Sequence, residues 1–237
     1  MTENKKSKFP SEADVVIVGV GGIVGSMLAY WLAEMGQKNI VGLEKSTIIP
    51  SDIASTAHAS DFVYNTTHDK LGCWTTAFSR KFYEDNGFFL KKGGLEICRK
   101  DDDERWEELK RKVGSGKAFG TNVRLISAAE AKEKFPLLEE ESIRGAMWDP
   151  DAGLVTPRSQ DVVSFAVESA KEKGALTTFT DTPALDFEIE NGHITAVKTD
   201  KGIIKTKKVV IASGIWGPLL GEMAGVPAPL MPVEHPL

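Results

Sequence analysis

The sequence predicts an α/β fold in which a parallel sheet is wound with helices, and three stretches carry that expectation. Asp14 to Lys45 reads as a buried strand, a glycine cluster, an apolar helix and a second strand. Leu185 to Lys198 reads as two alternating runs joined by Asn191-Gly192, a strong hairpin signal. Val209 to Gly214 is another short apolar run ending in small residues, which suits a buried parallel strand. Together they describe a Rossmann-like fold with an antiparallel meander in its crossover and a partial α+β domain inserted between its halves.

The first stretch is the most informative. Val15 to Val18 leads into Gly19, Gly21, Gly22 and Gly25. The helix that follows carries Val24, Leu28, Trp31 and Met35 at one-face spacing, and Gly36 suits its C-terminal end. Ile40 to Leu43 is the next strand and ends in Glu44. Glycines let the backbone turn tightly and approach a pyrophosphate, and a helix start favours an anion. A carboxylate closing the second strand can accept from the hydroxyls of an adenosine ribose. The pattern therefore points to dinucleotide binding, although no single register satisfies G-x-G-x-x-G and the turn carries one extra residue. A glycine-rich turn without a ligand is the plain alternative.

Composition narrows the class further. The 237 residues carry a net charge of −5, so no nucleic-acid-binding face is expected. No apolar run reaches membrane-span length, and the first ten residues lack the apolar core of a secretory signal. Cys73 and Cys98 form no C-x-x-C pair, which fits reduced thiols in a cytoplasmic protein without a metal site.

The remaining elements follow in order. Lys45 to Asp61 is small and polar, with Ser51, Ser55, Thr56, Ala57, His58, Ala59 and Ser60, and reads as a loop able to lie over a flat ligand. On these grounds alone His58 is a loop histidine. Leu71 to Leu90 is aromatic-rich (Trp74, Phe78, Phe82, Tyr83, Phe88, Phe89) and is expected as a partly buried helix, its aromatic stripe more suited to core than to a cofactor. Gly93 to Cys98 reads as a turn and a strand. Asp101 to Val113 is a solvated helix with acids first and bases last. Ser127 to Glu130 is a capping box. Thr156-Pro157 opens a helix faced by Val162, Val163, Ala166, Val167 and Ala170, and Gly174 ends it. A strand from Thr177 to Pro183 precedes the meander, and Ile215 to Gly225 holds a short helix.

The chain resembles the amino-terminal part of the dimethylglycine/sarcosine dehydrogenase family, FAD-dependent amine oxidoreductases of the D-amino-acid-oxidase-like superfamily. The resemblance rests on Val16-Ile-Val-Gly with Gly22-Ile-Val-Gly25, and on Ser55-Thr56-Ala57-His58-Ala59. It rests also on Gly93-Gly-Leu-Glu-Ile97, Ser213-Gly-Ile-Trp-Gly217 and Pro232-Val-Glu-His235. It implies FAD, with Gly19, Gly21, Gly22 and Gly25 at its pyrophosphate and Glu44 and Lys45 at its ribose. It implies Thr56 near the flavin, Ala184 near the adenine, and Ser213 and Gly214 approaching from the last strand. His58 matches the position where family members bond a histidine to the 8α carbon of FAD. His235 matches a histidine on the substrate side of the flavin, the one catalytic residue implied.

The resemblance implies oxidation of a small N-methylated amine, with tetrahydrofolate as a further partner in longer members; charge and the lack of a long apolar run add the expectation of no nucleic-acid or membrane partner. The resemblance divides the chain into a flexible tail (1–12), FAD-binding parts (13–90 and 151–226), a partial substrate domain (91–150) and the start of a substrate-domain strand (227–237). The family continues beyond the equivalent of His235, so a truncated chain of weak or no turnover is expected, with exposed apolar surface and either poor solubility or association with a partner chain. A non-catalytic FAD-binding remnant and, on the fingerprint alone, a nicotinamide-dependent dehydrogenase are the alternatives.

Overall fold

A computed structural model describes residues 9–233. In chain order the elements are β1 (Val15–Val18), α1 (Ile23–Glu34), β2 (Ile40–Leu43), β3 (Phe62–Val63), α2 (Lys70–Asp85), β4 (Phe89–Lys91) and β5 (Gly94–Arg99). Then come α3 (Asp103–Ala118), β6 (Arg124–Ser127), α4 (Ala128–Lys134), β7 (Ile143–Asp149), β8 (Gly153–Val155) and α5 (Ser159–Glu172). The chain closes with β9 (Leu176–Phe179), β10 (Ala184–Glu190), β11 (His193–Thr199), β12 (Gly202–Lys205), β13 (Val209–Ile211) and α6 (Gly217–Met223).

By compactness the chain forms two units. One holds the residues up to Ala59 and from Ser159 onward; the other is Ser60–Arg158.

The first unit is built on a parallel sheet of order β13-β1-β2-β9. Every residue of β1 and β2 is buried, as expected where both faces of a parallel sheet are covered. One face packs Val15, Ile17 and Ile40 against Ala29 and Ala33 of α1 and Val163, Val167 and Ala170 of α5. The other packs Val16, Val18, Val41 and Leu43 against Phe187, Val197 and Ile204 of the β10-β11-β12 meander. The hairpin turn at Asn191-Gly192 has positive φ at both residues (51° and 79°), the backbone a two-residue loop between twisted strands requires.

Two expectations in this unit are corrected. The face α1 buries is Gly25, Ser26, Ala29 and Ala33, not the larger residues, and Val24 and Met35 are 67% and 77% exposed. Small side chains let the helix lie close to the sheet and to α5; of the expected stripe Leu28 packs against this core, beside Ile23 and Leu32, while Val24 and Met35 do not. Helix α5 starts at Ser159, not at Thr156-Pro157.

The second unit carries two antiparallel sheets, β3-β8-β4 and β5-β7-β6. Helix α3 is capped by Asp102, whose side chain accepts the Arg105 N–H at 2.8 Å. At α4 the Ser127 hydroxyl accepts the Glu130 N–H at 3.1 Å, but the Glu130 side chain pairs with Arg124 instead of closing the box. Of α2, Cys73 and Phe82 are buried, so one aromatic of the stripe is core, while Trp74 and Phe78 stack on each other, 62% and 50% exposed.

Candidate functional site

Within the first unit the carboxyl ends of β1, β2 and β13 open onto one cavity of about 560 Å³, lined by Val18, Leu43 and Ile211. This is where an open α/β sheet carries its ligand, because the strand-to-helix turns converge there.

The glycines divide the work of shaping this edge. Gly19 turns the chain with φ +93°, and a Cβ on it would lie 2.6 Å from the Ala212 carbonyl oxygen. Gly25 sits so close to the Gly19 carbonyl that any side chain would overlap it. Gly21 donates its N–H to Glu44 Oε2 at 2.9 Å, and a Cβ there would stand 2.5 Å from that oxygen. Gly21 thus sets its backbone directly against the carboxylate. Gly22 lines the cavity, where a Cβ would find its nearest neighbours only at 3.8 Å.

Gly22 is also the N-cap of α1, with no side-chain cap and no acid in the helix's first turn. The Ile23 N–H is taken by the Thr56 hydroxyl at 3.0 Å. A helix start with neither an acidic residue nor a cap of its own presents its dipole to the cavity.

Glu44 lies 5% exposed, its carboxylate held by the Gly21 N–H and, on Oε1 at 2.9 Å, by the Ser46 N–H. Lys45 places its ammonium 3.7 Å from the centre of the Trp216 ring, and both residues line the cavity.

Of the residues singled out from the sequence, Gly19, Gly22, Glu44, Lys45, Thr56, Ala184, Ser213 and Gly214 line this one cavity. Gly21 and Gly25 do not line it; they act through Glu44 and Gly19. His58 ends a 3₁₀ turn (Ser55–His58), is exposed, and is not among the lining residues. His235 lies outside the described residues. Sequence reasoning did not single out Ser51, Ile53, Thr182, Leu219 or Leu230, which also line the cavity. Trp216 lay inside a quoted motif without a role. Local patterns carried no signal for these, apart from the small-residue bias of the loop around Ser51.

The donor set suits a dinucleotide. Two hydroxyl oxygens on the cavity wall, Ser51 Oγ and Ser213 Oγ, are buried and have no hydrogen-bond partner among the described residues. A buried hydroxyl without a partner is costly, so each is a place where a polar ligand atom fits. With the glycine backbone, the α1 start and the Glu44 carboxylate, the wall offers contacts for an anion and for sugar hydroxyls. Among the described residues no cluster of His, Cys, Asp and Glu could hold a metal ion, and no helix is long and apolar enough to cross a membrane.

Fold and cavity together define a class: an α/β protein with a nucleotide site at the carboxyl edge of a parallel sheet. Comparison makes this specific. The chain belongs to the FAD dependent oxidoreductase (DAO) family, whose model matches residues 14–236. Human mitochondrial sarcosine and dimethylglycine dehydrogenases are each 28% identical to it, over 96% and 97% of this chain and 25% and 26% of their own. The mitochondrial pyruvate dehydrogenase phosphatase regulatory subunit of Mus musculus is 31% identical over 96% of this chain and 26% of its own. Among solved structures, L-proline dehydrogenase from P. horikoshii superposes with a TM-score of 0.81 at 33% identity, covering 92% of this chain and 57% of that one. The chain therefore spans about a quarter of the length of the curated relatives it matches.

Proposed function

We propose that this chain is the FAD-holding part of an oxidoreductase of small N-methylated amines, of the dimethylglycine and sarcosine type, acting by oxidative N-demethylation. One observation carries the reading: the start of α1, which has no acid in its first turn and no side-chain cap from Gly22, and the doubly hydrogen-bonded Glu44 line one cavity at the carboxyl edge of the sheet. When bound, FAD supplies the two-electron redox chemistry. The chain's own residues hold and orient it. The Gly19 and Gly22 backbone and the α1 start take the pyrophosphate, and Gly21 and Gly25 keep that backbone in place. Glu44 accepts from the adenosine ribose and Lys45 stands beside it. Ala184 brings backbone to the adenine. Thr56, Ser213 and Gly214 supply polar contacts along the rest of the cofactor.

Several finer assignments belong to the same proposal and rest on the family motifs. They are a covalent bond from His58 to the flavin 8α carbon, His235 as the residue positioning the amine, and tetrahydrofolate as acceptor of the one-carbon unit in a longer protein. The proposal also includes a cytoplasmic location, which rests on the unpaired cysteines, and the division into FAD-binding parts (13–90 and 151–226) and a partial substrate domain (91–150).

Purification after expression with flavin tests the core of this reading: an absorbance band at about 450 nm that stays with the protein supports it, and a colourless protein that does not take up added FAD rejects it. Intact mass after denaturation separates the linkage from the binding. An FAD adduct that disappears in His58→Ala supports both, whereas free FAD released on denaturation removes the covalent assignment alone. Turnover of dimethylglycine or sarcosine separates an enzyme from a second reading, a non-catalytic FAD-binding protein. That second reading is favoured by the similarity to a relative named as a regulatory subunit.

A further inference from the structure

We infer that Ser51 is a second ribose-recognising residue, working beside Glu44 on a vicinal diol. The inference rests on the dinucleotide reading above and adds a residue that no motif assigned. Ser51 is 1% exposed, lines the cavity, and its Oγ has no hydrogen-bond partner among the described residues. Its backbone is held in place: the Ser51 N–H donates to the Gly21 carbonyl at 3.0 Å. Gly21 in turn donates to Glu44. The point where a Gly21 Cβ would stand lies 2.5 Å from Glu44 Oε2 and 2.8 Å from Ser51 Cβ, so the carboxylate and the serine are immediate neighbours across a glycine.

The chemistry of the pair is complementary. An ionised carboxylate only accepts hydrogen bonds, whereas a hydroxyl both donates and accepts. Two adjacent sugar hydroxyls offer donors and acceptors together, which a carboxylate alone cannot match. Folding has left the Ser51 hydroxyl buried and unpaired, an arrangement that disfavours the empty protein and is relieved when a polar ligand atom arrives.

The test compares wild type with Ser51→Ala, using ADP and 2′,3′-dideoxy-ADP as probes by calorimetry, FAD uptake by absorbance, and the melting temperature without ligand. Wild type is expected to bind ADP more tightly than the dideoxy compound. Ser51→Ala is expected to weaken ADP by about fivefold to tenfold, leave the dideoxy compound nearly unchanged, and melt no lower than wild type without ligand. Equal losses for both probes, no loss for either, or a lower melting temperature with unaltered ADP affinity would each overturn the inference. Wild type that takes up FAD while Ser51→Ala binds ADP equally well removes Ser51 alone. Wild type that binds neither FAD nor ADP removes the dinucleotide reading and this inference with it.

Discussion

The two packing units bury their sheets in different ways. In the first, β1 and β2 are covered on both faces, and the elements nearest the cavity meet through glycine, alanine and serine. In the second, the sheets are antiparallel, β5 has one fully buried residue, and α2 carries stacked aromatics in the open. Charges mark the same contrast. In the second unit Glu96 joins Arg105 and Lys112, and Asp151 joins Lys91, Arg80 and Asn122. The first unit is thus held by close backbone packing around its cavity, and the second keeps ion pairs and an open aromatic pair at its surface.

The sharpest way to break this contrast is Gly25→Val. Its side chain would overlap the Gly19 carbonyl, a backbone group that cannot step aside without opening the turn. The expected loss is about 3 kcal/mol or more by denaturant unfolding, with loss of FAD uptake.

Glu44→Ala comes next. It leaves the Gly21 and Ser46 N–H groups without their acceptor and is expected to cost about 2 kcal/mol in unfolding experiments, as well as weakening FAD binding. Glu44→Gln keeps one carbonyl oxygen and should recover part of the stability but not the affinity. Equal recovery of both would remove the carboxylate from ligand recognition.

A smaller effect tests the second unit through pH. Hydrogen bonding from Lys91, at 2.5 Å, holds the Asp151 carboxyl below its ordinary value, with Asn122 and Arg80 adding to it against the effect of burial. A carboxylate with a depressed folded-state pKa contributes stability above its unfolded value of about 3.9, and that contribution is lost as pH falls through the lower folded value. Lys91→Met should therefore lower the melting temperature at neutral pH, and the gap from wild type should close in acid. A gap independent of pH would assign the effect to packing.

The smallest expected change in stability is at the open aromatics. Trp74→Ser with Phe78→Ser should move unfolding by no more than about 0.5 kcal/mol, because neither ring is buried in the unit. The same double variant should reduce self-association measured by light scattering. A loss of several kcal/mol would show that the stacked pair supports the fold.

Much of this was legible in the sequence because it depends on neighbours in the chain. Alternation and Asn191-Gly192 specify a hairpin locally, and a run such as Val15 to Val18 beside glycines specifies a strand and turn. The order βαβ, insertion, helix, meander, strand follows from those signals. So does the expectation of a dinucleotide, because a strand, a turn, a helix and a closing acid lie within one short stretch. What the tertiary structure decided is what depends on distance through space. It fully buried the small residues of α1 and only partly buried Leu28, since small side chains let the helix approach its neighbours closely. It set Gly21 against Glu44. It left His58 exposed at the end of its 3₁₀ turn and off the lining of the cavity. And it brought Ser51 beside Glu44 through the Gly21 backbone, a contact no periodicity encodes, because packing and not sequence spacing sets which side chains meet.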